Sequence, residues 1–239
     1  MLLPLPYVKQ PGGRCNFAPQ FLAMRKKWIF YLVFFAVLVV GFYFTIARVI
    51  PGYADQKFPS LNFVQPFTFT NQDGELVTQQ DVLGKVYVAE YFFTTCPGIC
   101  PKMNTNMKKI YEKHKDEPDF LILSHTSDPD NDDALRLKQY ADSLKVDTKK
   151  WVFLTGRKDS LYNAARVSYL LDDPKNNAHD INQQFLHTQF FALVDKNGNV
   201  RKKIYDGLLK EDIEQLQKDI SVLLKEPTQK RFVNNVFSN

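Results

Sequence analysis

The sequence predicts an α/β layered domain carried behind a single membrane-spanning helix. Three observations predict it. An uncharged apolar and aromatic run lies near the N-terminus. Beyond it, β-rich apolar runs alternate with amphipathic helical stretches. A pair of cysteines, Cys96 and Cys100, sits where one strand-like run gives way to a helix-like one.

The apolar run is "WIFYLVFFAVLVVGFYFTIA" (28–47), which contains no charged residue. It matches the ~20 residues that a helix needs to cross a bilayer, and its aromatic ends suit the two interfaces. A cleaved signal peptide is the competing reading. The run exceeds the ~7–15 residues of a signal core, and no A-x-A-like site follows. "MRKK" precedes the run, so the positive-inside rule places the N-terminus in the cytoplasm and the rest outside it. In a bacterium this is a single-pass inner-membrane protein with a periplasmic domain. The expected organisation is a cytoplasmic segment 1–27, an anchor 28–47, a linker 48–62, a globular domain 63–226 and a tail 227–239. Met24 opens "MRKKWIF", a conventional start for an anchor, so residues 1–23, with Pro4, Pro6, Pro11 and Pro19, read as an extension. Cys15 has no apolar run before it and reads as incidental, not as a lipoprotein site.

Charge excludes one class of partner. The net charge is +5, but residues 1–50 hold six of the 31 basic residues and none of the 26 acidic ones. The remainder is close to neutral, so the basic excess flanks the membrane and no nucleic-acid face is expected.

The external elements follow in order. "PGYADQKFPSLNF" (51–63) reads as a linker from its prolines, glycine and charges. "FTFTNQDGELVT" (67–78) reads as a hairpin about Asn71–Gly74. "KVYVAEYFF" (85–93) has the unbroken apolar character of a buried central strand. A helix follows at 102–115, with Met103, Met107, Ile110 and Tyr111 at helical spacing. "FLILSHT" (120–126) reads as a strand. The helix at 132–144 is expected to turn Leu135, Leu137, Tyr140, Ala141 and Leu144 inward. A short strand (151–156) and a short helix (158–167) come next. Residues 184–207 read as two strands about the Lys196–Gly198 turn. The last helix, 210–226, turns Ile213, Leu216, Ile220, Leu223 and Leu224 to one side, with acids in its first turn. A β-α-β half followed by a β-β-α half is the thioredoxin arrangement, with its reactive cysteines at the first strand-to-helix turn.

Residues four apart on a helix share a face, so Cys96 and Cys100 are expected together at the helix start. A helix N-terminus favours the thiolate, which is both nucleophile and metal ligand. Three readings stand at this point. A structural disulfide would close a very short loop and gain little. A redox dithiol suits the helix start, although the usual thioredoxin pair has two intervening residues and this one has three. A metal site needs further ligands, with Cu(I) suited to two soft thiolates and zinc if enough ligands exist. Of the four histidines, His114 and His179 read as solvated. His125 ends a strand near the same sheet edge and reads as a hydrogen-bonded structural residue. His187 begins a strand of the second half, beside the cysteine turn.

Several stretches together resemble the SCO/SenC family. "GKVYVAEYFFTTCPGICPKM" is similar to the family's strand leading into C-P-x-x-C-P. "LSHTSDPDND" is similar to its S-x-D-P-x-x-D segment, here with Asp128, Pro129 and Asp132. "VFLTG" is similar to its L-T-G segment, and "LHTQFFALVDKNGNV" to its histidine-bearing strand and D-x-x-G turn. The resemblance spans about residues 60–225, in the family's order. Leu186 stands where the family often has Asp before the histidine, and "HTSDP" adds His125 near the site. The resemblance implies a membrane-tethered thioredoxin-like fold and copper held by Cys96, Cys100 and His187. It implies a metallochaperone that aids assembly of the dicopper centre of cytochrome c oxidase, and leaves open whether the chain is also an enzyme. The partner would be an oxidase subunit or another copper chaperone. The alternative is a periplasmic thiol-disulfide oxidoreductase in which Cys96 and Cys100 are the redox-active pair.

Overall fold

The computed structural model describes residues 20–49, 58–178, 180–181 and 184–228. His179 and most of the expected tail lie outside the described residues. Two compact units are present, residues 1–57 and 58–239.

In the first unit, helix α1 spans Gln20–Val49. Its stretch Lys27–Thr45 is long and apolar enough to cross a membrane, and none of it is buried within the protein. Large apolar side chains facing outward all around a helix are what a lipid environment accommodates.

The second unit is one mixed sheet with helices on both faces. Its elements are β1 (Ser60–Phe63), β2 (Thr68–Asn71), β3 (Leu76–Thr78), α2 (Gln79–Val82), β4 (Val86–Phe92), α3 (Cys100–His114), β5 (Phe120–Thr126), α4 (Ala134–Leu144), β6 (Trp151–Thr155), α5 (Lys158–Asn163), β7 (Phe190–Val194), β8 (Asn199–Asp206) and α6 (Lys210–Lys225). A π-helical turn, Ala164–Ser168, continues α5. The strand order is β1-β8-β7-β4-β5-β6-β2-β3. β4 pairs in parallel with β5 and antiparallel with β7. This is the thioredoxin-like arrangement, extended at both edges.

Every residue of β4 is buried, as its unbroken apolar run predicts. Alternation divides it between two cores. Val86, Val88 and Phe92 pack with α3, α4 and α6 on one face, while Tyr87, Ala89 and Tyr91 pack with α5 and its π turn on the other.

Several expectations are corrected. Ser60–Phe63, within the stretch read as linker, is an edge strand paired with β8. Leu135 is 67% exposed, because it lies two positions before the buried Leu137 and a helix turns about 200° over that step. His114 is buried at 3% exposure, not solvated. It extends the Met103, Met107, Ile110 stripe by one more turn and packs 5.3 Å from the Phe120 ring. β7 starts at Phe190, so His187 lies in the loop before the strand and does not begin it.

The core assignment gives a direct test. Leu216→Ala, in fully buried α6 packing, is expected to cost about 2–5 kcal/mol by chemical denaturation. Leu135→Ala on exposed α4 surface should shift stability by no more than about 0.5 kcal/mol.

Candidate metal centre

β4 delivers the chain to the site. After Phe92 it leaves the sheet, and the Cys96 amide turns back to the Phe93 carbonyl at 3.2 Å. Helix α3 begins only at Cys100, with Pro101 in its first turn, where a missing N–H costs little. Cys96 therefore lies in the turn before the helix, not on the helix as the four-residue spacing suggested. The pair is brought together all the same. Both cysteines are free, Cys96 half-buried and Cys100 buried.

The two thiols have opposite tendencies. Burial opposes ionisation of Cys96. It is outweighed by hydrogen bonds from the Cys100 thiol and from the backbone N–H groups of Cys100, Gly98 and Ile99, which bring Cys96 below its ordinary value. Burial raises Cys100, its neighbour Cys96 raises it further, and the charge of Glu90 adds to this. One sulfur is thus more accessible and thiolate-prone and the other buried and held toward the thiol, the division of labour that thiol exchange uses.

Beneath the pair lies a group that sequence reasoning missed. Glu90, on β4, is completely buried on the same sheet face as Cys100. Its Oε1 accepts from Ser124 Oγ at 2.6 Å, and Ser124 Oγ accepts from Trp151 Nε1 at 2.7 Å. Among the described residues, Oε2 has no hydrogen-bond partner. Burial pushes this carboxyl up from 4.5 to about 7. The signal was present as one acid inside an otherwise apolar central strand, but strand patterning alone does not say which neighbours it meets.

The histidines divide. His125 is fully buried on the opposite face from Cys100. It stacks on Tyr91 at 5.0 Å and contacts Tyr169 at 5.2 Å. Its Nδ1 lies 3.3 Å from the Glu90 carbonyl, and burial lowers it to about 4. This is the structural role expected of it. His187 is exposed, with its ring 6.0 Å from that of Phe93. It lines an open polar cavity with Arg166, Asp172 and Asn176. Among the described residues, no three His, Cys, Asp or Glu side chains converge closely enough to hold a metal ion. The structure therefore joins Cys96 to Cys100 and places His187 to one side, with Phe93 alongside it. Leu186 is buried in the second core, so the position where the family often carries Asp serves here as an apolar anchor.

A family model described as SCO1/SenC matches residues 55–225. The chain belongs to the SCO1/SenC family. This SCO chain is 35% identical over 163 residues to the SCO1 protein homolog of Bacillus subtilis (strain 168), covering 67% of this chain and 82% of the relative. It aligns with the solved structure of BsSco, described as a Sco-family cytochrome c oxidase assembly protein with a disulfide switch. That match has 31% identity and a TM-score of 0.60, over 72% of this chain and 100% of the other. Arabidopsis thaliana ScoI, solved with copper bound, shares the fold at a TM-score of 0.52 and 21% identity, over 69% of this chain and 99% of that one.

Two measurements check the electrostatics of this SCO site. In the reduced protein near neutral pH, iodoacetamide should modify Cys96 well before Cys100, and equal rates would refute the split. For Glu90, the folded state holds an extra proton between its ordinary value of 4.5 and about 7. Stability must therefore fall as pH rises through that window, by on the order of 3 kcal/mol at ~1.4 kcal/mol per unit. Thermal unfolding of Glu90→Gln from pH 4 to 8 should show a flatter profile than the parent; an unchanged slope rules the assignment out.

Proposed function

We propose that this protein is a membrane-anchored copper carrier that helps assemble the dicopper centre of cytochrome c oxidase. The observation that carries this reading is the adjacent pair of free thiols, one thiolate-prone, at the strand-to-helix turn of a SCO fold. Two soft sulfurs suit Cu(I) better than they suit hard cations. A relative that shares the fold has been solved with copper bound, and BsSco is described as an oxidase assembly protein.

Cys96 and Cys100 supply sulfur to copper as cargo, and His187 supplies an imidazole nitrogen. His187 stands beside the turn and exposed, so completing the set requires its ring to swing toward the sulfurs. The thiols must lose protons to bind, so affinity falls in acid. Oxidation of the pair to a disulfide removes both sulfur donors. The anchor, residues 28–47, holds the domain on the periplasmic side of the inner membrane, with the N-terminus cytoplasmic. The receiving partner is an oxidase subunit or another copper chaperone.

The opposed tendencies of the two thiols favour a second reading, thiol-disulfide exchange with target cysteines. Cys96 thiolate would attack the target disulfide, and one target sulfur would leave as a thiolate that takes up a proton. Cys100 would then displace the second target sulfur. The target ends as a dithiol and this protein as a Cys96–Cys100 disulfide, which an external dithiol donor must reduce. The BsSco disulfide switch is consistent with this chemistry.

Anaerobic Cu(I) titration of the reduced full chain in detergent separates the readings. His187→Ala should lower copper affinity by about tenfold or more while leaving the cysteine couple able to cycle. Parent-like copper binding in His187→Ala would sink the ligand assignment.

A further inference from the structure

The chain just before His187 is fixed by a buried hydroxyl. Tyr162, on α5, is completely buried. Its hydroxyl donates to the Ser127 carbonyl at 2.8 Å and accepts from the Leu186 amide at 3.0 Å. Ser127 lies just past the end of β5, and its own amide donates to the Phe92 carbonyl at 2.7 Å. Phe92 is the last residue of β4, where the chain leaves the sheet toward Cys96. One hydroxyl therefore links the strand ends that launch the cysteine turn to the amide that immediately precedes His187.

The buried Asp132 reinforces the cysteine side. It accepts from the Thr94 amide at 3.1 Å and from Thr126 Oγ1 at 2.6 Å. On the far side of the histidine, the Gln189 carbonyl accepts from the Gly207 amide at 2.8 Å. A Cβ at Gly207 would come within 2.6 Å of the buried Phe191 ring and 2.7 Å of that carbonyl. His187 and Thr188 thus form a two-residue bridge between two held points. The backbone is fixed at both ends, while the His187 ring remains exposed.

We propose that Tyr162 is a positioning residue for the metal centre. Its hydroxyl holds the His187 bridge at a set distance from the cysteine turn, so that motion local to His187 suffices to complete a two-sulfur, one-nitrogen site. This rests on the copper reading above. Tyr162 touches neither metal nor thiol; it acts through Leu186. Groups that orient a metal-ligating histidine typically contribute 10–100-fold in affinity.

The test is a mutant cycle on the full chain in detergent, reading Cu(I) affinity by competition with a chelator. Tyr162→Phe keeps the ring and removes both hydrogen bonds. It should weaken copper binding about tenfold and reduce the nitrogen contribution to the copper X-ray absorption spectrum. The dithiol-disulfide midpoint potential of the metal-free protein should not move. In a His187→Ala background, Tyr162→Phe should cost no further affinity. Gly207→Ala, which crowds the buried Phe191 ring as well as the Gln189 carbonyl, disturbs the bridge from its other end and should show the same dependence on His187, as a second variant beside Tyr162→Phe. An unchanged affinity, or an equal loss with and without His187, overturns the proposal. If His187→Ala itself leaves copper binding intact, the ligand reading falls and the positioning role with it. If only the Tyr162 and Gly207 variants are silent, the ligand reading survives and the brace alone is refuted.

Discussion

The arrangement depends on the pairing of one buried strand. β4 runs parallel to β5 and antiparallel to β7, and none of its residues reaches solvent. Parallel pairing sets the ends of β4 and β5 side by side, so the cysteine turn and the Ser127–Asp132 segment leave the sheet together. Antiparallel pairing brings the start of β7 to that same edge, and with it the loop carrying His187. The cysteine turn and the loop carrying His187, some 90 residues apart in the chain, thus leave the sheet at the same end through strand order. Because both faces of β4 are covered, its register is strongly constrained; a one-residue slip would exchange the residues of the two cores.

Burial then sorts the chemistry. The same sheet carries two fully buried titratable groups at its centre, Glu90 toward the cysteines and His125 away from them. Removing a charge from water is costly, so each is pushed toward its neutral form. For Glu90 this places a carboxyl that titrates near neutrality beneath a buried thiol. His125 is held neutral among aromatic rings, on the face away from the thiols. A charged group there would have to be paired, and among the described residues no ionic partner is provided.

Much of this was legible in the sequence because it depends on local pattern. The apolar span 28–47, the continuous strand at β4 and the stripe of α6 each have a period or a length that admits few alternatives. The cysteine pair was visible as a site for the same reason, since it falls at a break between two such patterns. Structure departs from the sequence pattern where that pattern is ambiguous. Leu135 is apolar yet helix phase points it out, and His114 is polar yet the phase of α3 buries it. β1 was hidden by Pro59 and by its short length at the sheet edge.

Alone, the sequence determined the long uncharged apolar helix near the N-terminus, the alternation of strands and helices, and the presence of two cysteines at a strand-to-helix turn. These follow from hydrophobic length and periodicity, which act over a few turns of chain. Only the tertiary structure decided that Glu90 lies on the thiol face, that His125 lies on the other, and that His187 stands exposed beside Phe93 instead of against the sulfurs. It also decided that Tyr162 bridges Ser127 to Leu186. Those relations join residues distant in the chain, and they depend on strand order and on which side of a packed sheet each side chain occupies.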